Sequence, residues 1–583
     1  MFEILETEED CVARSAELVA SIVRDCERSD EKFTDPEFVA GDVSIGVITY
    51  TEDNGEEHLR VPEGIMWLRP EEIVPSNRAD RKLDWTVYRD PWPFHVNQAG
   101  VGDCWLISAI KTIVRRKELL ERMFPKDEAA AKRGIYQVRL CVEGRWQVIV
   151  VDDLIPCHFD GRLKFSDSHE KQLFNVLIEK AIAKLYGGYD ELDGGSALTA
   201  YQLMTGAVAR KVSIDGENDV WEALVNAKEE GFFVTANTPT MVEDEVRRQY
   251  HQAGLRTDHC YAITAITVQN GHRLVQLHNP CRWTEWKGKW SDWPSWSPFV
   301  KKLCTVLGIW ERGVFWMEMV DFERWFQSID ICEYRAGFHE IRVAQPSVDE
   351  KDLNKAKVLM ITVDTACEVA VEARETSKSE FHFNFIVNIH RATLNNRLGE
   401  LIVSAKAVDQ TQTPLTLLEP GNYFLILHVL KHSCKIHGHD YIQPMMWVIR
   451  SRLPVVIGST TIYPFMKCES LHAMIQKYGV VEKVKDGVTV YSWRSTNTLL
   501  VLVENRNAMR KFARVKVSVP PEQSRYFEYS ETVVPPMSRR IVYQMRSIRL
   551  SKSAELSLNI STSYTYLFRI RAFCQVYAEL PIV

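Results

Sequence analysis

Asn97-Gln98-Ala99-Gly100-Val101-Gly102-Asp103-Cys104-Trp105 decides the reading of this 583-residue chain. The stretch sets one cysteine behind a Gly-rich turn and at the head of an apolar helical run (Trp105, Leu106, Ile107, Ala109, Ile110, Ile113). A cysteine there meets the positive end of the helix dipole and unpaired backbone N–H groups, which favour thiolate over thiol. Six residues upstream, Gln98 offers a neutral amide donor of the kind that holds an oxyanion during acyl transfer. Cys104 therefore reads as a nucleophile and not as a structural cysteine.

A chain of this length exceeds one hydrophobic core, and three or four domains are expected. Its 45% hydrophobic and 26% charged content is that of ordinary globular protein. A formal charge of -7 argues against nucleic acid as the main partner. No apolar stretch approaches the roughly 18 residues of a membrane helix, and the first ten residues are acidic, unlike a signal peptide. The thirteen cysteines are scattered, odd in number and without a CxxC pair. Reduced thiols and a cytoplasmic location follow as the expectation.

Working outward from Cys104, residues 7–28 predict an amphipathic helix, with Cys11, Leu18, Ile22 and Cys26 on one stripe and Val12, Val19 and Val23 beside it. Residues 33–331 alternate helical patterns (104–123, 172–186, 218–230) with strands at 136–141 and 146–151, and break near Thr205-Gly206. Beyond 331 the pattern changes to short alternating runs, such as Val515, Val517 and Val519 between Arg514, Lys516 and Ser518. Such runs predict antiparallel β-sandwiches, with Leu453-Pro454 as a boundary between two of them. The division expected is an N-terminal helix over 1–32, a first core segment over 33–206, a second over 207–331, and β domains over 332–453 and 454–583. The fold class is α+β.

A cysteine nucleophile needs a base, and the base an orienting partner. Asp258-His259-Cys260-Tyr261 puts His259 at the head of an apolar strand, and His278-Asn279-Pro280 ends the next strand with an amide. Adjacent antiparallel strands can bring Asn279 beside His259, where its carbonyl would accept from the imidazole and fix the tautomer. Spacing alone leaves other partners open, since the chain holds sixteen histidines.

These segments together resemble the calpain family of cysteine endopeptidases, on the Gly-Asp-Cys-Trp nucleophile segment, the His-x-Tyr strand and the Asn-Pro strand end. Val151–Pro156, Leu177-Ile178-Glu179-Lys180-Ala181, Gly194-Gly195-Ser196, Trp286–Asp292 and Phe315-Trp316-Met317 add to the resemblance, in family order, over residues 30–331. Segments 141–147, 314–318, 329–334 and 500–505 most resemble the small optic lobes subfamily, here without its N-terminal zinc fingers. The resemblance implies a two-lobed papain-like core followed by a calpain-type β-sandwich and a C-terminal β domain. It implies limited proteolysis of protein substrates, with Cys104 as nucleophile, His259 as proton shuttle, Asn279 as its orienter, and Gln98 with the Cys104 backbone N–H as oxyanion donors. Each such donor lowers the barrier by on the order of 3 kcal/mol. Gly195, Asp258 and Trp105 are the substrate-binding positions implied.

Two departures change the expectation. The family usually follows Asn-Pro with a tryptophan that shields the Asn–His bond; here Cys281 follows, and a smaller side chain is expected to wet and weaken that bond. Calcium is the only cofactor the resemblance implies, through oxygen ligands at two sites. At the first, His95 and Gln172 stand where acids are expected. At the second, Glu285 and Asp292 remain but Arg312 and Val314 replace acids. Tight calcium binding is therefore not expected, and partner activation or constitutive alignment of the lobes would take its place. The six aspartates beyond residue 331 (Asp349, Asp352, Asp364, Asp409, Asp440, Asp486) are too spread for a calcium-dependent membrane-docking sandwich. The cluster His428, His432, Cys434, His437 and His439 admits zinc by ligand type, though its spacing fits no established pattern. Two rival functions remain: an inactive scaffold whose β domains bind a protein partner, and a transglutaminase-type acyltransferase, against which the Gln98 and Asn279 amides speak.

Overall fold

The computed structural model describes residues 2–51, 57–60, 63–216, 218–281, 286–291, 313–345, 348–349, 357–375, 384–408, 410–430, 441–442, 445–461, 463, 465–495, 498–507, 512–518, 529–546, 557–563 and 580–581. The chain divides into two compact units, Glu6–Ala336 and Gly337–Val583, the latter joined by Met1–Leu5. Among the described residues no helix is long and apolar enough to cross a membrane.

The first unit opens with helix α1, Glu8–Ser29, capped by Thr7, whose hydroxyl accepts from the Asp10 N–H while the Asp10 carboxylate accepts from the Thr7 N–H. Its buried stripe runs through Cys11, Ser15, Val19 and Cys26 with Ile22 half-buried, so of the expected stripe only Leu18 faces solvent, its place taken by Val19 one position on. Val19 packs with Ile135 and Val150 on the hairpin of β2 (Ile135–Val142) and β3 (Arg145–Asp152). Glu8 joins Arg122 (2.9 Å from Nε) and Arg139 (3.4 Å), so the helix is tied electrostatically as well as by packing.

Between α1 and that hairpin come β1 (Val96–Gln98) and α2 (Cys104–Ile113). The helix expected over 104–123 is two pieces, because the chain breaks after Ile113 and resumes at Lys117–Met123. Both arginines of the break reach sideways: Arg115 lies 3.7 Å over the Trp92 ring and Arg116 donates to Gly231 O at 2.7 Å. Helices α3 (Phe174–Tyr186) and α4 (Ala197–Thr205) pack with α2 in one apolar core. Gly206, at φ 65, takes the left-handed position that ends α4.

A second core lies on a six-stranded antiparallel sheet. Its strands in chain order are β4 (Ala209–Ser213), β5 (Phe233–Asn237), β6 (Cys260–Gln269), β7 (His272–His278), β8 (Val314–Glu318) and β9 (Ser328–Cys332), arranged spatially as β4-β9-β5-β6-β7-β8. The β6–β7 hairpin turns on Asn270-Gly271, both at positive φ, which matches a type I′ turn and the right-handed twist of the strands. The turn fixes register at one end, and a bulge at Thr264 shifts it by one residue, so that Ala262 pairs with His278 at the other. That register carries Asn279 to His259.

In the second unit, two antiparallel sheets close on one core that includes Leu359, Val371, Phe385, Tyr423, Trp447 and Ile449. The strand Val456–Thr461 pairs with Lys357–Val363, so this pair of sheets extends past the boundary expected at Leu453-Pro454. Helix α5 (Met466–Tyr478) follows, and its Leu471, Met474 and Ile475 pack with Leu500 and Leu502 of a further five-stranded sheet. The α5 residue Ser470 is buried between two imidazoles, His390 Nε2 at 2.9 Å and His428 Nε2 at 3.2 Å. His428 is thus a strand residue tied to a helix through Ser470; the other four members of that cluster lie outside the described residues.

Burial holds His390 down at about 4 and His428 at about 3, with Lys477 and Lys467 respectively pushing the same way. Because both folded values lie below the unfolded one near 6.5, the unfolded chain binds more protons once the pH falls under 6.5. Stability is therefore full above pH 6.5 and is lost as the pH falls toward 4, by about 1.4 kcal/mol per pH unit and per imidazole. Urea unfolding of the full chain at pH 7.5 and 4.5 measures this. A His390→Gln/His428→Gln chain is expected to lose less, and an equal loss in both chains would exclude these imidazoles as its source.

Candidate active site

Cys104 is the first residue of α2 and partly exposed, and it lines a cleft of about 630 Å³ together with Gln98, Trp105, Gly195, Asp258 and His259. The cleft has the helical core on one side and the six-stranded sheet on the other.

His259 stands just before β6, after Asp258, a non-glycine residue in the left-handed region at φ 52. Its backbone is tied to one residue: the His259 N–H donates to Thr238 Oγ1 at 3.1 Å, and the Thr238 N–H donates to His259 O at 3.0 Å. Its ring stands edge-on to Tyr261, 5.0 Å between centroids. His259 Nε2 lies 2.8 Å from Asn279 Oδ1, so the carbonyl takes Nε2–H and leaves Nδ1 as the basic nitrogen. Asn279 is fully buried and its backbone N–H donates to Gly313 O at 2.8 Å. The tautomer is set by the strand end, as a base facing a thiol requires.

Gln98 is buried at the end of β1, where its Nε2 donates to Val101 O at 2.8 Å and its backbone N–H to Pro280 O at 3.1 Å. Trp105 is buried beneath the Gly194–Ser196 segment, with its indole N–H on Leu192 O at 3.0 Å. Gly195 lies so close over this ring that a Cβ would stand 2.4 Å from Trp105 Cε2; only glycine fits. Asp258 is exposed at the rim.

Cys281 overturns the expected wet Asn–His bond. It is itself buried, its backbone N–H donates to Asn279 Oδ1 at 3.1 Å, and its thiol lies 2.7 Å from Gln98 Oε1. Asn279 and His259 are buried with it, so the bond between them is not opened to solvent on the Cys281 side.

The resting charge state also departs from the sequence expectation. Burial pushes the Cys104 thiol up to about 12, against a lowering hydrogen bond from the Cys260 backbone, and pushes His259 down to about 3. Desolvation is the largest influence on both groups and favours a neutral thiol beside a neutral imidazole.

Several further residues shape the site, of which Asp103, Glu179 and Asp330 stand inside segments quoted above without a role of their own and the others lie outside any quoted motif. Asp103, just before Cys104, is fully buried and interacts with Glu179; burial pushes both carboxyls up, the Glu179 charge adds to the rise at Asp103, and the hydrogen bond with Asp103 opposes it at Glu179, so the pair retains a proton. Arg256 sits at the cleft beside Cys281, and its charge lowers the Cys104 thiol. Asp330 is buried in the cleft wall, with Oδ2 accepting from Asn237 Nδ2 at 2.9 Å. Lys111 is buried on α2, facing His278 Nε2 at 3.1 Å. The one signal visible in the sequence is a charge inside an apolar run: Lys111 in α2 and Glu179 in α3.

The residues at the first implied calcium position do not fit that ion. Gln172 Nε2 and His95 Nδ1 bond each other at 3.0 Å, and Gln172 Oε1 accepts from the Arg89 N–H at 2.8 Å. Two nitrogens and a committed carbonyl do not make the oxygen cage of a hard cation. At the second, Glu285, Asp292 and Arg312 lie outside the described residues, and Val314 contributes an apolar side chain on β8.

Comparison with known proteins covers the same part of the chain. The chain is 33% identical over 341 residues to the calpain-type cysteine protease DEK1 of Arabidopsis thaliana, covering 56% of this chain and 15% of that one. It is 29% identical to calpain-8 of Rattus norvegicus (53% of this chain, 43% of the relative) and 29% identical to the calpain-2 catalytic subunit of Gallus gallus (53% and 44%). The chain thus spans less than half the length of these relatives. The calpain family cysteine protease model matches residues 33–333, just over half of the sequence. This chain, with its cysteine-headed helix facing a histidine–asparagine pair, belongs to the calpain family of cysteine proteases.

Proposed function

We propose that the chain is a calpain-type cysteine endopeptidase that cuts protein substrates at a limited number of sites. The observation that carries this is the His259 Nε2–Asn279 Oδ1 bond of 2.8 Å behind the cleft that Cys104 lines. Residues 33–206 and 207–331 act as the two lobes of a papain-like core, followed by a calpain-type sandwich that runs past residue 453 through the Val456–Thr461 strand and by a small optic lobes-type tail. The subfamily reading rests on the sequence segments quoted for it. The ten described cysteines are all free, which suits a reducing cytoplasm.

The resting site begins neutral, so catalysis begins with a proton transfer. Cys104 passes its proton to His259 Nδ1 as Sγ attacks the scissile carbonyl carbon, and the carbonyl π pair moves to oxygen. The Gln98 Nε2–H and the Cys104 backbone N–H hold that oxygen. Asn279 keeps the imidazolium oriented while its Nδ1–H passes to the leaving amine. Water then attacks the thioester, losing a proton to Nδ1, and the thiol returns as the acid product leaves. Gly195 offers exposed backbone to extended substrate above Trp105, and Asp258 borders the same cleft. No step uses calcium, which His95 and Gln172 are not built to hold.

Purified chain is expected to take one equivalent of an epoxide cysteine-protease probe at Cys104, by intact mass and peptide mapping, equally in calcium and in chelator. Labelling only with calcium would reverse the calcium reading. No labelling in either would favour the scaffold function.

A further inference from the structure

Cys281 touches both halves of the catalytic machinery. Its thiol lies 2.7 Å from Gln98 Oε1, its sulfur is 3.7 Å from Arg256 Nη1, and its backbone N–H is 3.1 Å from Asn279 Oδ1. A carboxamide such as that of Gln98 can sit in two orientations related by a flip, and only one turns N–H groups toward an oxyanion. Val101 O, 2.8 Å from Gln98 Nε2, demands a donor on one side. Cys281 meets Oε1 on the other with an S–H, a donor to oxygen. The flipped amide would set its oxygen against the Val101 carbonyl.

We propose that Cys281 is a positioning residue whose S–H, fixed by Arg256, locks the Gln98 carboxamide with Nε2 toward the substrate oxyanion. It acts through Gln98 and not on the reacting atoms. Burial pushes the Cys281 thiol up to about 11, so it keeps its proton and remains a donor across the neutral range. This inference rests on the endopeptidase reading of the same cleft and adds to it a part played by a residue that the family resemblance marks as a departure.

The test measures two reactions of Cys104 in the full chain. A peptide aldehyde forms a hemithioacetal whose oxygen uses the oxyanion donors; iodoacetamide alkylates by displacement at a saturated carbon and builds no oxyanion. Cys281→Ala is expected to weaken aldehyde binding and lower kcat about 10-fold, with KM and the rate of Cys104 alkylation within about twofold of wild type. Cys281→Ser, whose O–H donates to the same oxygen, is expected to recover most of the loss. In a Gln98→Ala background, Cys281→Ala is expected to cost nothing further. Should Cys281→Ala not fold, Cys281→Val fills the volume without a donor and reads the same way. Unchanged aldehyde binding, or losses that add in the double variant, would overturn the proposal while leaving the endopeptidase standing. Failure of wild-type Cys104 to bind the aldehyde and to alkylate would take down both together.

Discussion

Cys104→Ser is expected to abolish peptide cleavage while leaving the fold intact. The change replaces one atom at the head of α2, where the side chain is partly exposed and the helix is held by the apolar run behind it. What disappears is the nucleophile's chemistry. His259 is a weak base in its buried setting, pushed down to about 3, and it can take a proton from a thiol more readily than from an alcohol. Loss of a catalytic member in a cysteine or serine hydrolase is on the order of 10⁴-fold or more, leaving a remnant from the oxyanion donors and binding. His259→Ala is expected to cost a similar factor, and the double variant little more, since the two act as one unit. Turnover of a protein substrate, beside far-UV circular dichroism, measures this. Residual activity above about one per cent in Cys104→Ser would place the nucleophile elsewhere.

The residues legible in the sequence and those hidden from it differ in kind. Gln98, Cys104, His259 and Asn279 carry chemistry in their side chains and stand at element ends, so residue type and spacing alone point to them. The structure brings the first three to one cleft and bonds the fourth to His259. Cys281 misleads because sequence shows side-chain size and not what surrounds it; Gln98 and Asn279 both bond to the smaller residue. The charge of Cys104 misleads for a related reason. A helix dipole is visible in a sequence, but the depth of burial that pushes the thiol up is a property of the assembled walls. Leu18 and the 453 boundary show a third limit: apolar spacing tolerates a shift of one position along a helix, and a turn before Pro454 does not reveal that the next strand returns to the same sheet.

Lys111→Met is expected to lower the melting temperature of the full chain by roughly 5–10 °C and to reduce kcat/KM below that temperature. Lys111 is two turns beyond Cys104 on α2 and is 1% exposed. Its ammonium donates to Pro93 O at 2.8 Å and to Val96 O, and faces His278 Nε2 at 3.1 Å. A buried cation is tolerated only where such partners surround it, and methionine, of similar length, removes the donors while keeping the volume. The acceptors left behind each cost about 1–3 kcal/mol when unsatisfied, which puts the loss at about 3 kcal/mol or more. The same three contacts explain why activity should fall with stability. Pro93 and Val96 lead into Gln98, His278 precedes Asn279, and Lys111 shares a helix with Cys104, so one ammonium ties together the segments that carry Cys104, Gln98 and Asn279. Lys117→Met, whose side chain is 76% exposed, is the control and is expected to stay within about 0.5 kcal/mol of wild type. If Lys111→Met melts within 2 °C of the parent, the buried ammonium is not what holds the two cores in register, and the packing of Ser108 Oγ on Cys260 O at 2.9 Å, with the Gln98 N–H on Pro280 O at 3.1 Å, must suffice.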